Sequence, residues 1–107
     1  MAANMQEQYN TFRRNIEVLT EKTMELEADV EQHKKVLDVL RKTDPKRGSK
    51  YMINNVLVDL PVAEVIPRVD EMQAGLLKAL ETMQKDLKAE EKGLEDWKVK
   101  HNIKVVS

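Results

Sequence analysis

Near the start of the chain, eleven positions recur in alternating steps of four and three: Met5, Tyr9, Phe12, Ile16, Leu19, Thr23, Leu26, Val30, His33, Leu37 and Leu40. Nine of the eleven are apolar or aromatic, so they form one narrow stripe on a helix. A stripe that keeps heptad spacing for about five repeats is the seam of a coiled coil. The pattern predicts a helix over 5–43, stopped by the cluster from Thr43 to Ser49. Pro45 disfavours helical geometry at the residue before it, and Gly48 extends the break.

The period then changes from helical to alternating. Val56, Val58 and Leu60 share one face of a strand, Leu57 and Asp59 the other, and Tyr51, Met52 and Ile53 form the strand before it. Asn54-Asn55 lies between the two, and asparagine tolerates the positive φ that a two-residue hairpin turn demands. A β-hairpin over 50–60 follows. A second helix is expected over 62–101, with Pro61 tolerated at its start and Pro67 bending it. Its seam reads Val65, Val69, Met72, Leu76, Leu80, Met83, Leu87, Glu90, Leu94, Trp97 and His101. The four-plus-four step from Met72 to Leu80 is a stutter that relaxes the supercoil. Gly75 and Gly93 make this helix the more pliable one, each costing roughly 1 kcal/mol against alanine.

Two helices of nearly equal length flank the hairpin, each on the order of 55–60 Å at about 1.5 Å per residue. Equal arms imply that they pair with each other. The expected fold is mainly α: an antiparallel two-helix coiled-coil hairpin with a central β-hairpin, all within one domain over 1–107. In that register Leu40 opposes Val65, His33 opposes Met72, and Tyr9 and Phe12 lie near Trp97 and Leu94, where both termini meet. The acidic run Glu17, Glu21, Glu25, Glu27, Asp29 and Glu31 would then face Lys78, Lys85 and Lys88, either as a cross-helix attraction or as a solvated face.

A two-stranded hairpin is marginal in water, and this one is apolar with two open edges. The two helices leave little surface to cover it. Tyr51, Met52, Ile53, Val56, Leu57, Val58 and Leu60 are therefore expected to form a subunit interface, joining an inter-subunit β-barrel or sheet.

Composition narrows the function classes. Of 107 residues 35% are charged and 4% aromatic, which suits long solvated helices. The net charge of -1 gives no electrostatic case for nucleic acid or an anionic membrane, and no stretch is apolar enough to span a bilayer. A cytoplasmic protein is the expectation. The chain has no cysteine and only three glycines, which removes thiolate sites and phosphate-binding loops. The only histidines, His33 and His101, lie on different helices, so no metal site and no cofactor are expected. His33 and Thr23 read as polar seam positions that set register. Lys42, Lys46, Arg47 and Lys50 read as a solvated basic loop. No concave pocket is expected on a two-helix hairpin to activate its carboxylates, so no enzyme is predicted.

The order helix, hairpin, helix resembles the β-class prefoldin subunits. The residues that carry this are Tyr51-Met52, Asn54-Asn55-Val56-Leu57-Val58 and Val62-x-Glu64-Val65-Ile66-Pro67, and Lys100-His101-Asn102-Ile103 narrows it to one β-class type. The likeness covers nearly the whole chain. Asn54-Asn55 stands where the family usually has two glycines, and Pro61 where it usually has a threonine that caps the second helix. The resemblance implies a hexamer of two α-class and four β-class subunits, whose hairpins form joined barrels from which the coiled coils project. It implies an ATP-independent chaperone that holds unfolded chains, notably actin and tubulin, at the coiled-coil tips and passes them to the cytosolic chaperonin. Met5, Tyr9, Phe12, Leu94 and Trp97 place three of the four aromatics at the expected tip, with Ile103, Val105 and Val106 beyond the helix. Large apolar groups at a fraying helix end suit weak binding of non-native chains, and several tips on one scaffold add avidity. These eight residues are the expected client-binding site. The competing function is a structural coiled-coil adaptor with no holding activity.

Overall fold

A computed structural model of the chain describes residues 3–103. Helix α1 spans Ala3–Arg41, strand β1 Gly48–Ile53, strand β2 Val56–Pro61 and helix α2 Val62–Lys100. The chain divides into two compact units. One holds Leu26–Ala79 and contains the hairpin; the other holds the described residues up to Glu25 and from Leu80 onward.

All eleven seam positions of α1 are buried or half-buried, with Thr23 at 7% exposure and Leu37 at 4%. The two polar members need no partner across the seam. Thr23 Oγ1 donates to the Leu19 carbonyl at 2.7 Å, and His33 Nδ1 lies 2.8 Å from the Asp29 carbonyl. Each makes a hydrogen bond one turn back on its own helix.

The seam of α2 departs from the sequence expectation at two places. Met72 is 50% exposed, and Gln73 is the half-buried residue instead. The buried series is therefore Val62, Val65, Val69, Gln73, Leu76, Leu80, and the four-plus-four step falls at Val65–Val69–Gln73. Pro67 lies inside that step. It has no N–H to give to the carbonyl one turn back, and this loosens the helix where the phase shifts. Met72 turns toward the hairpin, where its sulfur accepts a hydrogen bond from the Tyr51 hydroxyl at 3.6 Å. The second departure is His101, which is exposed.

The hairpin turn is built as its two asparagines require. Asn54 has φ 48° and Asn55 φ 67°, the left-handed pair of a type I′ turn. Pairing runs from Ile53↔Val56 to Gly48↔Pro61, which extends the strands past the 50–60 that alternation marks. Tyr51 and Leu60 pack with Leu40 and Ile66 against the buried cluster Leu37, Val65 and Val69. Arg68 lies 5.8 Å over the Tyr51 ring, and Arg41 donates to Asp70 at 2.8 Å. That ion pair is about half exposed, so it contributes at most about 1 kcal/mol.

The start of α2 is held by backbone. Pro61 removes the capping hydroxyl, but the Val62 N–H donates to the Arg47 carbonyl at 2.9 Å and the Ala63 N–H to the Pro45 carbonyl at 3.0 Å. The loop before β1 thus supplies what a cap side chain would. That loop is shaped by Asp44, whose carboxylate accepts from the Lys46 N–H at 3.0 Å. At the other end of α2, Asn102 takes φ 51°. Its N–H reaches the Val99 carbonyl at 3.2 Å, and the Ile103 N–H reaches that of Lys98 at 2.9 Å. Those two bonds are a Schellman stop, which places an apolar residue where Ile103 stands.

Two predictions follow from this geometry. Gln73 Oε1 is buried, and among the described residues no donor reaches it. Gln73→Leu should therefore stabilise the chain by about 1–2 kcal/mol, read as a higher urea midpoint with an unchanged slope. Asn55→Val forces a β-branched residue into positive φ and should destabilise the hairpin by about 1–2 kcal/mol, read as loss of amide protection across β1 and β2 by hydrogen exchange.

Candidate functional site

The hairpin unit presents an apolar surface that nothing in the unit covers. Alternation sends Ser49, Tyr51, Val58 and Leu60 toward the helices, and all four are half-buried. On the outward face Met52 is 59% and Leu57 58% exposed, and the two are cross-strand partners. Beside them Lys50 and Asp59, also partners, form an ion pair at 2.7 Å. Near the turn the inward face runs past its cover, leaving Val56 60% and Ile53 36% exposed. The seven residues marked by the sequence as an interface therefore split. Tyr51, Val58 and Leu60 belong to the subunit's own packing, and Met52, Ile53, Val56 and Leu57 are the open apolar set. Among the described residues the sheet has two strands only, so each strand has an unpaired edge.

In the other unit the aromatics form one cluster around Trp97. Its ring lies 6.3 Å from Tyr9, 5.9 Å from Phe12 and 5.6 Å from His101. The indole Nε1 donates to Gln8 Oε1 at 2.7 Å, which satisfies its only polar atom. Trp97 is 9% and Leu94 7% exposed, while Met5, Tyr9 and Phe12 are half-buried. These side chains close the seam. Ile103 is half-buried at the position its helix stop assigns to it; Val105 and Val106 lie outside the described residues. Gly93 faces Phe12: a Cβ there would lie 3.3 Å from Phe12 Cε1, a tight contact that would push the ring back by a few tenths of an ångström.

Several participants were not picked out by the sequence pattern. Gln8 and Asn15 are exposed polar residues in a helical run, and nothing in their spacing sets them apart. Glu90 was visible only as a polar intruder in the α2 seam. It is half-buried and accepts from Asn15 Nδ2 at 3.1 Å. A groove of about 420 Å³ opens beside the cluster, lined in part by Glu7, Phe12, Glu90 and Trp97. The expected cross-helix charge pairing has a competitor, because Lys85 pairs with Glu81 on its own helix at 3.4 Å. Among the described residues no group of three or more acidic or histidine side chains is placed to hold a metal ion, and no helix is long and apolar enough to cross a membrane.

Comparison with known proteins agrees with this architecture. The family model described as prefoldin subunit matches residues 3–107. The chain is 33% identical over 98 residues to prefoldin subunit 2 of Homo sapiens and of Bos taurus, covering 92% of this chain and 64% of each relative. It thus spans under two thirds of the length of those mammalian proteins. It is 30% identical over 102 residues to the probable prefoldin subunit 2 of Schizosaccharomyces pombe, covering 95% of this chain and 90% of that one. In fold it is similar to the crystal structure of the prefoldin beta subunit from Thermococcus strain KS-1, with a TM-score of 0.81 at 12% identity over 91% of this chain and 85% of that one. Two long helices joined through an antiparallel hairpin, a family match over nearly the full length and relatives of the subunit-2 type together establish that the chain belongs to the prefoldin subunit family.

Proposed function

We propose that the chain is a β-class subunit of a hetero-hexameric, ATP-independent co-chaperone. Its hairpin joins the strands of α- and β-class subunits in a β-barrel. Its termini-bearing unit serves as one of several coiled-coil tips that hold unfolded polypeptides of the actin and tubulin type and deliver them to the cytosolic chaperonin. The working compartment is the cytoplasm, and the subunit catalyses no reaction.

The observation that carries this reading is the outward face of the hairpin. Met52 and Leu57 form an exposed cross-strand apolar pair between two unpaired edges. Such a surface is costly in an isolated soluble subunit, and strand pairing with neighbours removes the cost. The relatives named as prefoldin subunits support membership of a multi-subunit complex.

One observation favours the second reading, a coiled-coil adaptor without holding activity. Leu94 and Trp97 are buried within the unit, so they are already used as packing. The two readings separate in one experiment. The assembled complex, without nucleotide, should slow aggregation of a denatured client measured by light scattering. Aggregation at the uncomplexed rate would leave only the adaptor.

The interface is tested on the outward face, where a charge does not enter the subunit's own core. Leu57→Asp should abolish or strongly weaken assembly with partner subunits, seen as a smaller mass in size-exclusion chromatography with light scattering, while leaving the helical circular dichroism of the isolated chain unchanged. Normal assembly of this variant would contradict the barrel.

A further inference from the structure

The groove beside the aromatic cluster has a composition that seam closure does not explain. Phe12 and Trp97 give it an apolar wall, and Glu7 and Glu90 add two carboxylates. Trp97 is held in place by Gln8, so the wall is formed before anything binds. Glu90 occupies a seam position, where leucine would close the helix pair better. It accepts a hydrogen bond from the neutral amide of Asn15. Among the described residues neither Glu7 nor Glu90 takes part in an ion pair. Of the cations of α2, Lys85 pairs with Glu81 and Lys98 with Glu95. Arg14 shares a neighbouring groove with Glu90 without forming an ion pair to it. Glu90 is half-buried and, among the described residues, hydrogen-bonded only to a neutral amide, so its charge is open to a cation from outside.

We propose that this groove is a subsite for a basic side chain, arginine or lysine, of an extended non-native polypeptide. The cationic head meets Glu90 and Glu7, and the aliphatic stem lies along Phe12 and Trp97, as long cationic side chains do on apolar surface. Charge complementarity selects this occupant over a purely apolar one: two carboxylates without an ion-pair partner among the described residues line the groove beside its aromatic wall. The inference rests on the holding function proposed above and adds to it a preference for segments in which basic and apolar residues alternate.

The test uses the full chain assembled with its partner subunits and two short fluorescent peptides. One alternates leucine with arginine; its twin carries citrulline, the neutral isostere, at every arginine. The arginine peptide should bind about five- to tenfold more tightly by anisotropy, the factor that one partly exposed charge pair or two provides, and the ratio should shrink as salt rises. Glu90→Gln keeps the Asn15 hydrogen bond and should move the ratio toward one; Glu7→Gln, at an exposed position with no fold to lose, should do so in part. Equal binding of the two peptides, or an unchanged ratio in both variants, overturns the subsite. If client aggregation is still suppressed in that case, the holding function survives without it. If neither peptide binds and aggregation proceeds unchecked, both readings fall together.

Discussion

Val62 is the most buried side chain described, at 2% exposure, and its backbone N–H is bonded to the Arg47 carbonyl. Those two facts join three elements at one residue. The first turn of a helix has N–H groups with no partner inside the helix, and a buried one must find an acceptor. Here Arg47 and Pro45 provide it from the loop that precedes β1. The loop can do so only if the hairpin closes in the observed register, with Gly48 opposite Pro61. The hairpin in turn lays Tyr51 and Leu60 onto Leu37, Val65 and Val69. The hairpin is therefore seated on the helices of its own unit by backbone hydrogen bonds and one small apolar cluster, which leaves its other face free.

The parts of this arrangement that sequence made visible are those with a strict period. The α1 seam is regular from Met5 to Leu40, and every member is withdrawn from solvent. The turn was visible because asparagine is among the few residues that take positive φ at small cost, and both asparagines do. The α2 seam departs from the apolar pattern at Met72, because apolar character alone does not set burial. What decides the point is the phase of the helix after Pro67, together with the Tyr51 hydroxyl that claims the Met72 sulfur from another element. His101 continues the spacing, but the helix stop begins there and its side chain is exposed. The start of α2 had no legible cap, because its cap is made of carbonyl groups that every residue possesses.

The candidate sites were legible as clusters and not as surfaces. Grouping Tyr9, Phe12, Leu94 and Trp97 needed only the antiparallel register. Their burial depends on whether the seam is filled, and the bare Gly93 lets the Phe12 ring sit close. Likewise the hairpin alternation separates two faces, but only packing tells which face the subunit keeps for itself. Tyr51, Val58 and Leu60 are the kept face, and Met52 and Leu57 are the offered one.

The turn has one further consequence. Two glycines would reach the same left-handed geometry; this chain turns on Asn54-Asn55 instead. An unfolded glycine pair samples far more backbone conformations than an asparagine pair, and each such glycine carries about 0.4–1 kcal/mol more disorder that folding must remove. The ribbon here is correspondingly more pre-organised before it meets a neighbour. A strand that is already shaped spends less of its pairing energy on ordering itself and has fewer wrong registers to sample.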